Sequence, residues 1–421
     1  MSNTKIVIVG NGIAGFSAAS AARRMDARCE LTMVSAESAP LYSACVLPEY
    51  ISGKIPRDKT FVKTLKDYEH LNIKTHFGRE VKEIESSARK VFLENGSRLS
   101  FDKLVLATGS ESISFGEQRE GVFRIKTLAD ADALLEHTGT KAVIVGSGAI
   151  GIEVAVALCF RGYDVTIVEM LDHVLPLGLD KKGAERVKTL LEENGIQVRV
   201  GERATGIQGG ACVEGLATEK EELECDTLVW AVGMRPRVDL IKNAGITLGE
   251  MGGIPVDKNM ETGIPGIYAC GDCVESLDML TGLPGLSLFW HNANRQGAVA
   301  GYNCVGVRRE YSGSQNLLNV DIFGNHVVAF GYTEDMVHRM DGPTTQPSII
   351  EKEKENGYSR LVLLGDRCIG AQFINPEKDI GLIRSIITKG KSIEWLQRAC
   401  ADDAVMERRT WLYRVRPFLS S

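Results

Sequence analysis

The 421-residue sequence has no apolar run long enough to cross a bilayer, no excess of basic residues and no second cysteine pair beside its single CxxC. Each absence excludes a class. A membrane-spanning helix needs ~20 consecutive apolar residues, so no membrane association is expected. Nucleic acid is bound by lysine and arginine in excess, whereas 49 basic against 55 acidic residues leave a net charge of −6. Small molecules or proteins are the expected partners. The ten cysteines contain no CxxCxxC run, and only Cys270 and Cys273 have CxxC spacing, so neither an iron-sulfur cluster nor a complete zinc site is expected. The sequence runs from MSNTK straight into IVIVG, with no room for the charged, apolar and cleavage regions of a signal peptide. A cytoplasmic protein is expected, with no need of disulfide staples.

What is present is a repeat. Length suggests two or three domains, and one unit is spelled twice. From Lys5 to Glu37 the chain reads KIVIVG, NGIAG, FSAASAARRM and LTMVS, which predicts strand, glycine turn, helix, strand. Gly10, Gly12 and Gly15 stand in G-x-G-x-x-G spacing. The first makes a tight turn, the second lets the backbone approach a pyrophosphate, and the third lets helix and strand pack closely. The anion would sit on the amides that open the helix. From 141 to 169, KAVIVG, SGAIG, IEVAVALCFRG and YDVTIVEM repeat the pattern with Gly146, Gly148 and Gly151. Glu169 closes this copy, where a carboxylate accepts hydrogen bonds from a ribose and repels a 2′-phosphate, so NAD(H) is expected rather than NADP(H). In the first copy Ser35 ends the strand and the nearest acid is Glu37. Glu37 reaching in from the loop is expected to take the ribose, with a weaker bond from Ser35 as the alternative.

Three further motifs stand in order around these units: FDKLVLATG at 101–109, LVWAVGMRP at 228–236 and GIPGIYACGDC at 263–273. Together they resemble the FAD-dependent pyridine nucleotide-disulfide oxidoreductase superfamily over about residues 5–310. The resemblance implies an α/β fold: two tandem Rossmann-like three-layer dinucleotide-binding domains plus a C-terminal α+β interface domain. Residues 1–112 and 239–311 would form a split FAD domain, 113–238 the NAD domain, and 312–421 the interface domain with a tail. FAD and NAD are the implied cofactors. Thr108 and Gly109 would pass close to the FAD, Gly233 and Pro236 would leave the NAD domain, and Gly271 and Asp272 would meet the ribityl chain. Glu153, two places after Gly151, matches a position near nicotinamide and flavin and is given a positioning role. The plainer reading is an acid near a helix start, favoured by the dipole. HNANRQG at 291–297 is similar to the helix that faces the flavin, and His291 is expected to be structural. Cys270 and Cys273 flank the Gly-Asp of the FAD motif and are expected to stay unpaired. The CxxxxC and His-Glu pair of disulfide reductases are absent.

The run LYSACVLPEYISGK at 41–54 carries a lone Cys45. It resembles two branches of the superfamily. Coenzyme A disulfide reductases, NADH oxidases and persulfide reductases place one reactive cysteine before Leu-Pro; rubredoxin and nitrite reductase flavoproteins carry none there. No Tyr-x-Pro-Pro segment follows residue 312, and a thiol without a basic neighbour stays protonated. Lys54 and Arg57 are the cations that could supply charge. Cys45 is read first as a small wall residue and second as a redox centre. The whole resembles NAD-reducing flavoprotein subunits of 2-oxoacid:acceptor oxidoreductases, specifically the epsilon subunit of phenylglyoxylate dehydrogenase. That implies iron-sulfur and thiamine diphosphate partner subunits, with electrons passed on to NAD⁺. The alternatives are a stand-alone NADH-dependent CoA-disulfide or persulfide reductase or NADH oxidase using Cys45, and a non-catalytic flavin-binding assembly subunit. Past residue 312, alternating runs predict an antiparallel sheet followed by helices through GLIRSIITKG and IEWLQRAC. The tail at 407–418 mixes arginines with aromatics, as docking surfaces do.

Overall fold

The computed structural model describes residues 3–116, 118–339, 346–376, 380–390 and 392. The predicted helix at IEWLQRAC and the tail at 407–418 lie outside them. Two five-stranded parallel sheets carry the two glycine turns. In the first, the strands Ile267–Ala269, Lys103–Leu106, Lys5–Val9, Glu30–Ser35 and Ile73–Phe77 lie side by side in that order. In the second the order is Gln197–Val200, Asp164–Glu169, Lys141–Val145, Thr227–Trp230 and Val122–Arg124. The IVIV and AVIV runs are apolar without alternation because such strands are covered on both faces, and Ile6 to Val9 and Ala142 to Val145 are all buried. Each unit adds a three-stranded antiparallel sheet, at residues 81–100 and 204–224. In each, the crevice at the carboxyl ends of the central strands is where this topology opens. The α/β class with two Rossmann-like units is what the structure has.

The C-terminal sheet is antiparallel, in the order Leu317–Ile322, Asn325–Gly331, Arg367–Ile374, Gly357–Leu364, Ser348–Lys354. Successive side chains point to opposite faces, and both faces are used. Val320, Ile322, Val327 and Ala329 join the buried core of the second unit, with Ile144, Ile152 and Leu158. Val328, Phe330, Ala371 and Phe373 form a separate core with Ile387 of the helix Ile380–Thr388. The sheet expected as an interface domain is thus first an intramolecular partner of the second unit.

A short helix joins the two units. Leu47–Ser52 starts with Leu47 and Pro48, where a missing N–H costs nothing, and ends at Gly53 in the left-handed conformation. Its Leu47 and Ile51 are 1% and 0% exposed and sit in the second unit's core. Each contributes about 2 kcal/mol of burial. Tyr50 and Arg57 bond Asp132 of the second unit at 2.9 and 2.8 Å. The loop that carries Cys45 is fixed between the units by these contacts.

Candidate active site between the two glycine turns

The glycine turns have the same construction. Gly10 and Gly146 have φ of +112° and +103°, and each donates its N–H to the neighbouring strand, to Val34 O and Val168 O, at 2.8 Å. A Cβ on Gly10 would lie 2.0 Å from Ala107 O, and one on Gly146 would lie 2.4 Å from Ala231 O. On Gly15 and Gly151 it would lie 2.1 and 2.0 Å from the carbonyl oxygen of the first glycine. Those four positions are taken up by the chain's own packing. Gly12 and Gly148 differ: a Cβ there meets nothing within 4 Å, and both are helix N-caps without a side-chain cap. The amides that open each helix are left for an anion, so a dinucleotide pyrophosphate fits both turns.

One cavity of about 1870 Å³ runs between the turns. Gly10, Gly12, Ser35, Glu37, Thr108 and Gly109 line one end, and Gly146, Gly148, Glu169 and Gly233 the other. Cys45, Glu153, Gly271 and Asp272 line it too. Gly15 and Gly151 do not, because their place is the contact of helix with turn. At one end Glu37 is exposed, and its carboxylate accepts a 2.6 Å bond from Tyr42 OH, which in turn accepts Leu128 N–H at 3.1 Å. At the other, Glu169 is buried and accepts from Ser147 N, Ser147 Oγ and Leu171 N at 2.8, 2.7 and 2.9 Å. Thr108 Oγ1 donates to Arg237 O at 2.6 Å, and Gly109 O and Gly233 O accept from Arg237 N and Ile113 N. The two connections between the units therefore hold each other. Gly271 N–H donates to Gln296 Oε1 at 2.8 Å, where Gln296 is wholly buried in the helix Trp290–Cys304.

Asp272 is held by two groups, Ser110 Oγ at 2.7 Å and Lys126 Nζ at 2.9 Å. Lys126 follows the second unit's edge strand, so this ion pair crosses between the units with side chains 23% and 15% exposed. No motif flagged Lys126. Lys54 and Arg57, the cations that the sequence offered to Cys45, are engaged elsewhere. Lys54 lies 3.8 Å from Asp321 and over the Phe160 ring, and Arg57 is on Asp132.

Cys45 sits in the 3-10 turn Ala44–Val46 and lines the cavity, a place that suits a wall residue and a redox centre alike. Chain packed around it, then the Glu153 carboxylate, push its thiol pKa up; a Ser43 hydrogen bond and the Lys126 ammonium pull it back. Glu153 belongs to the second turn of the helix Ala149–Phe160, past the reach of the N-terminal dipole, which removes the plainer reading of this acid. Burial, then Glu49 and Asp321, push its pKa up to about 8. At neutral pH it holds a proton. His291 bonds Gln315 O through Nε2 at 3.1 Å, and burial, with Arg384 and Arg295 nearby, lowers its pKa to about 4. It does not line the cavity. Cys270 and Cys273 are free thiols, fully buried. Among the described residues no group of His, Cys, Asp and Glu could hold a metal ion, and no helix is long and apolar enough to cross a membrane.

Residues 4–297 match the family described as pyridine nucleotide-disulphide oxidoreductase. The chain belongs to this family. Its members use FAD and NAD(H), and the chain is an FAD-dependent NAD(H) oxidoreductase. An enzyme displaces the reading as a non-catalytic assembly subunit. The NADH oxidase of Methanocaldococcus jannaschii is 36% identical over 344 residues, 77% of this chain and 77% of that protein. The NADH-rubredoxin oxidoreductase of Clostridium acetobutylicum is 30% identical over 398 residues, 92% of this chain and 98% of that one. Among solved structures, an NAD-dependent persulfide reductase from A. fulgidus superposes with a TM-score of 0.88 at 29% identity, over 93% of this chain and 78% of the other. None of the three is named for a 2-oxoacid complex, so the narrower resemblance to phenylglyoxylate dehydrogenase gains nothing from them.

Three features of the cavity between the glycine turns were not legible in the sequence. Lys126 stands 146 positions from Asp272, and Tyr42 stands 86 from Leu128. The third is that the C-terminal domain itself lines the cavity, with Leu318, Asn319 and Val320 of its first strand and Met336 of the helix Glu334–Arg339. Only the alternation of the sheet's strands signalled its existence.

Proposed function

We propose that this chain is a self-contained NADH-dependent reductase of a small disulfide or persulfide, with Cys45 as the residue that receives the acceptor. The observation that carries the reading is the place of Cys45. Of the two cysteines in the cavity wall, Cys270 is fully buried, whereas Cys45 opens between the two dinucleotide turns. The relatives named as NADH oxidase and persulfide reductase support a stand-alone enzyme over a subunit of a 2-oxoacid complex.

In this reading Gly12, Glu37 and Asp272 hold the FAD, and Gly148 and Glu169 hold NAD(H). FAD, when bound, would supply the chemistry that links hydride transfer from NADH to two-electron reduction of the acceptor. The chain supplies the thiol and its surroundings. Cys45 Sγ attacks one sulfur of RSSR, forming a mixed disulfide and releasing one RSH; two electrons then cleave that bond and return Cys45 to its thiol. The balance is NADH + H⁺ + RSSR → NAD⁺ + 2 RSH. The Lys126 ammonium favours the attacking thiolate. Glu153, protonated at neutral pH, holds a proton for the leaving sulfur at its carboxyl oxygen.

The test is the purified chain alone, with NADH and either coenzyme A disulfide or ferricyanide. Cys45→Ser is expected to abolish disulfide reduction and keep ferricyanide reduction near wild type. A wild-type protein that reduces ferricyanide but neither disulfide nor persulfide refutes the proposal. That result would favour a second reading, supported by the rubredoxin-reducing relative and the raised thiol pKa. There the chain passes electrons between NAD(H) and iron-sulfur partners, such as those of a CoA-dependent, thiamine diphosphate 2-oxoacid complex. Co-purification with iron-sulfur subunits and full activity of the Cys45→Ser protein would mark it.

A further inference from the structure

The segment from Leu171 to Asp180 follows Glu169 and lines the NAD end of the cavity through Leu171, Leu175 and Gly178. It carries little regular structure of its own. Leu175 has φ of +50°, a strained conformation for a bulky side chain that persists only where its surroundings impose it. On one side its N–H donates to Ser147 O at 3.0 Å, inside the second glycine turn, where Ser147 also bonds Glu169. On the other side the segment meets the C-terminal sheet. A Cβ on Gly178 would lie 2.5 Å from Leu318 Cδ2, so loop and strand are already in contact.

The segment ends at Asp180, the N-cap of the helix Lys181–Glu193. An aspartate there ordinarily accepts from its own helix, yet this one makes no such bond. Its carboxylate faces the C-terminal domain instead. Asp180 Oδ1 accepts Glu334 N–H at 3.0 Å, and Oδ2 accepts Gln372 Nε2 at 2.6 Å and lies 2.9 Å from Arg360 Nε. Asp180 N–H donates back to Gln372 Oε1 at 2.9 Å. Arg360, with a side chain 13% exposed, also binds Glu334 and Glu351. Each of these groups belongs to the C-terminal sheet or to the helix Glu334–Arg339 that it carries. A helix cap that its own helix does not use is therefore the anchor of the loop beside the NAD site.

We propose that Asp180 and Arg360 form a clamp through which the C-terminal sheet sets the conformation of the Leu171–Asp180 loop, and with it the affinity for NADH. Both are positioning residues, since neither lines the cavity. The inference rests on the second glycine turn holding NAD(H) and is independent of any role of Cys45. Removing the guanidinium leaves the buried Asp180 and the half-buried Glu334 without their shared cation, while Glu351 keeps Lys182, and the loop loses the support that holds Leu175 in its left-handed conformation.

The test is steady-state NADH-ferricyanide reduction by the full-length holoprotein, for Arg360→Met, Arg360→Lys and Asp180→Asn. Ferricyanide keeps the outcome separate from the disulfide chemistry. The KM for NADH is expected to rise about tenfold in Arg360→Met and Asp180→Asn, with kcat within twofold of wild type and FAD content unchanged. Arg360→Lys, which keeps a cation at Asp180, is expected to recover part of the loss. Should Arg360→Met fail to fold, Asp180→Asn and Arg360→Lys carry the same comparison. Wild-type KM in a folded, FAD-replete variant overturns the clamp, as does a fall in melting temperature and FAD content without a KM shift. Failure of the NAD assignment would look different, because wild-type protein would then show no saturable NADH dependence.

Discussion

The two glycine turns share a backbone and differ in how their acids are held. In both, the first glycine donates a 2.8 Å bond to the second strand and packs on the third, and the last glycine packs on the first. At the second turn Glu169 is buried and bonded entirely within its own unit, to Ser147 and Leu171. At the first turn Glu37 is exposed and held by Tyr42, whose hydroxyl takes its second bond from Leu128 across the unit boundary. The acid of the second turn is thus held by its own segment, while that of the first is held through a contact between units. A repeated motif fixes the shape of a turn, and neighbouring packing decides how the finished site is held.

The largest effect is expected from breaking the part that the turns share. Gly10→Ala and Gly146→Ala each place a Cβ within 2.4 Å of a backbone oxygen at φ above +100°. The first is expected to abolish FAD retention, read from the flavin-to-protein absorbance ratio. The second is expected to keep FAD and abolish its bleaching by NADH. If both variants lose the same function, the two turns do not have separate ligands. Next comes the link between units: Leu47→Ala removes a side chain of the first unit from the second unit's core. A loss of about 2–5 kcal/mol in stability by denaturant melts is expected, in one transition for both units. A separate early transition of either unit would show that they are not coupled there.

Acidity sharpens the comparison further. Glu153 has a folded pKa of about 8, above its ordinary value of 4.5. The stability that this proton favours is fully present below the unfolded pKa and is lost as pH rises through about 8. Glu153→Gln is expected to flatten the decline in melting temperature between pH 5 and 8, worth on the order of 2 kcal/mol after allowing for partial exposure. An unchanged slope would mean that Glu153 is ionised in the fold. Tyr42→Phe is expected to weaken FAD binding by about 1 kcal/mol, roughly fivefold, and to leave the KM for NADH unchanged; equal effects on both would show that the sites are not organised differently. The smallest effect belongs to Lys126→Met. Loss of its ammonium is expected to raise the Cys45 thiol pKa, so that iodoacetamide labelling at pH 8 slows a few-fold. Faster labelling would mean that Lys126 shields the thiol rather than activates it.

Much of this was legible in the residues, and the limits have a physical pattern. The strand, turn and helix of each unit are local: the glycines answer backbone demands within a few positions, and the apolar runs answer burial on both faces of a strand. Glu169 could be placed because it ends a strand whose register follows from that local unit, pairing Val145 with Val168. Glu37 could be named, but not the phenol that holds it. Cys45 could be found in its run, yet its openness to the cavity and its charged neighbours could not. The cations adjacent in sequence, Lys54 and Arg57, are bonded elsewhere, and the cation within reach is Lys126.

By itself, then, the sequence determined two glycine turns of dinucleotide-binding type and the family to which they belong. Glycine conformation and strand burial are short-range constraints, and they are written in consecutive residues. Only the tertiary structure decided that Lys126 meets Asp272, that Tyr42 joins Glu37 to Leu128, and that Asp180 leaves its own helix for Arg360 of the C-terminal sheet. Each of those pairs joins side chains brought together by the packing of whole units. Their geometry follows from how the cores at Leu47 and Val320 dock on the second unit, and no local pattern encodes that docking.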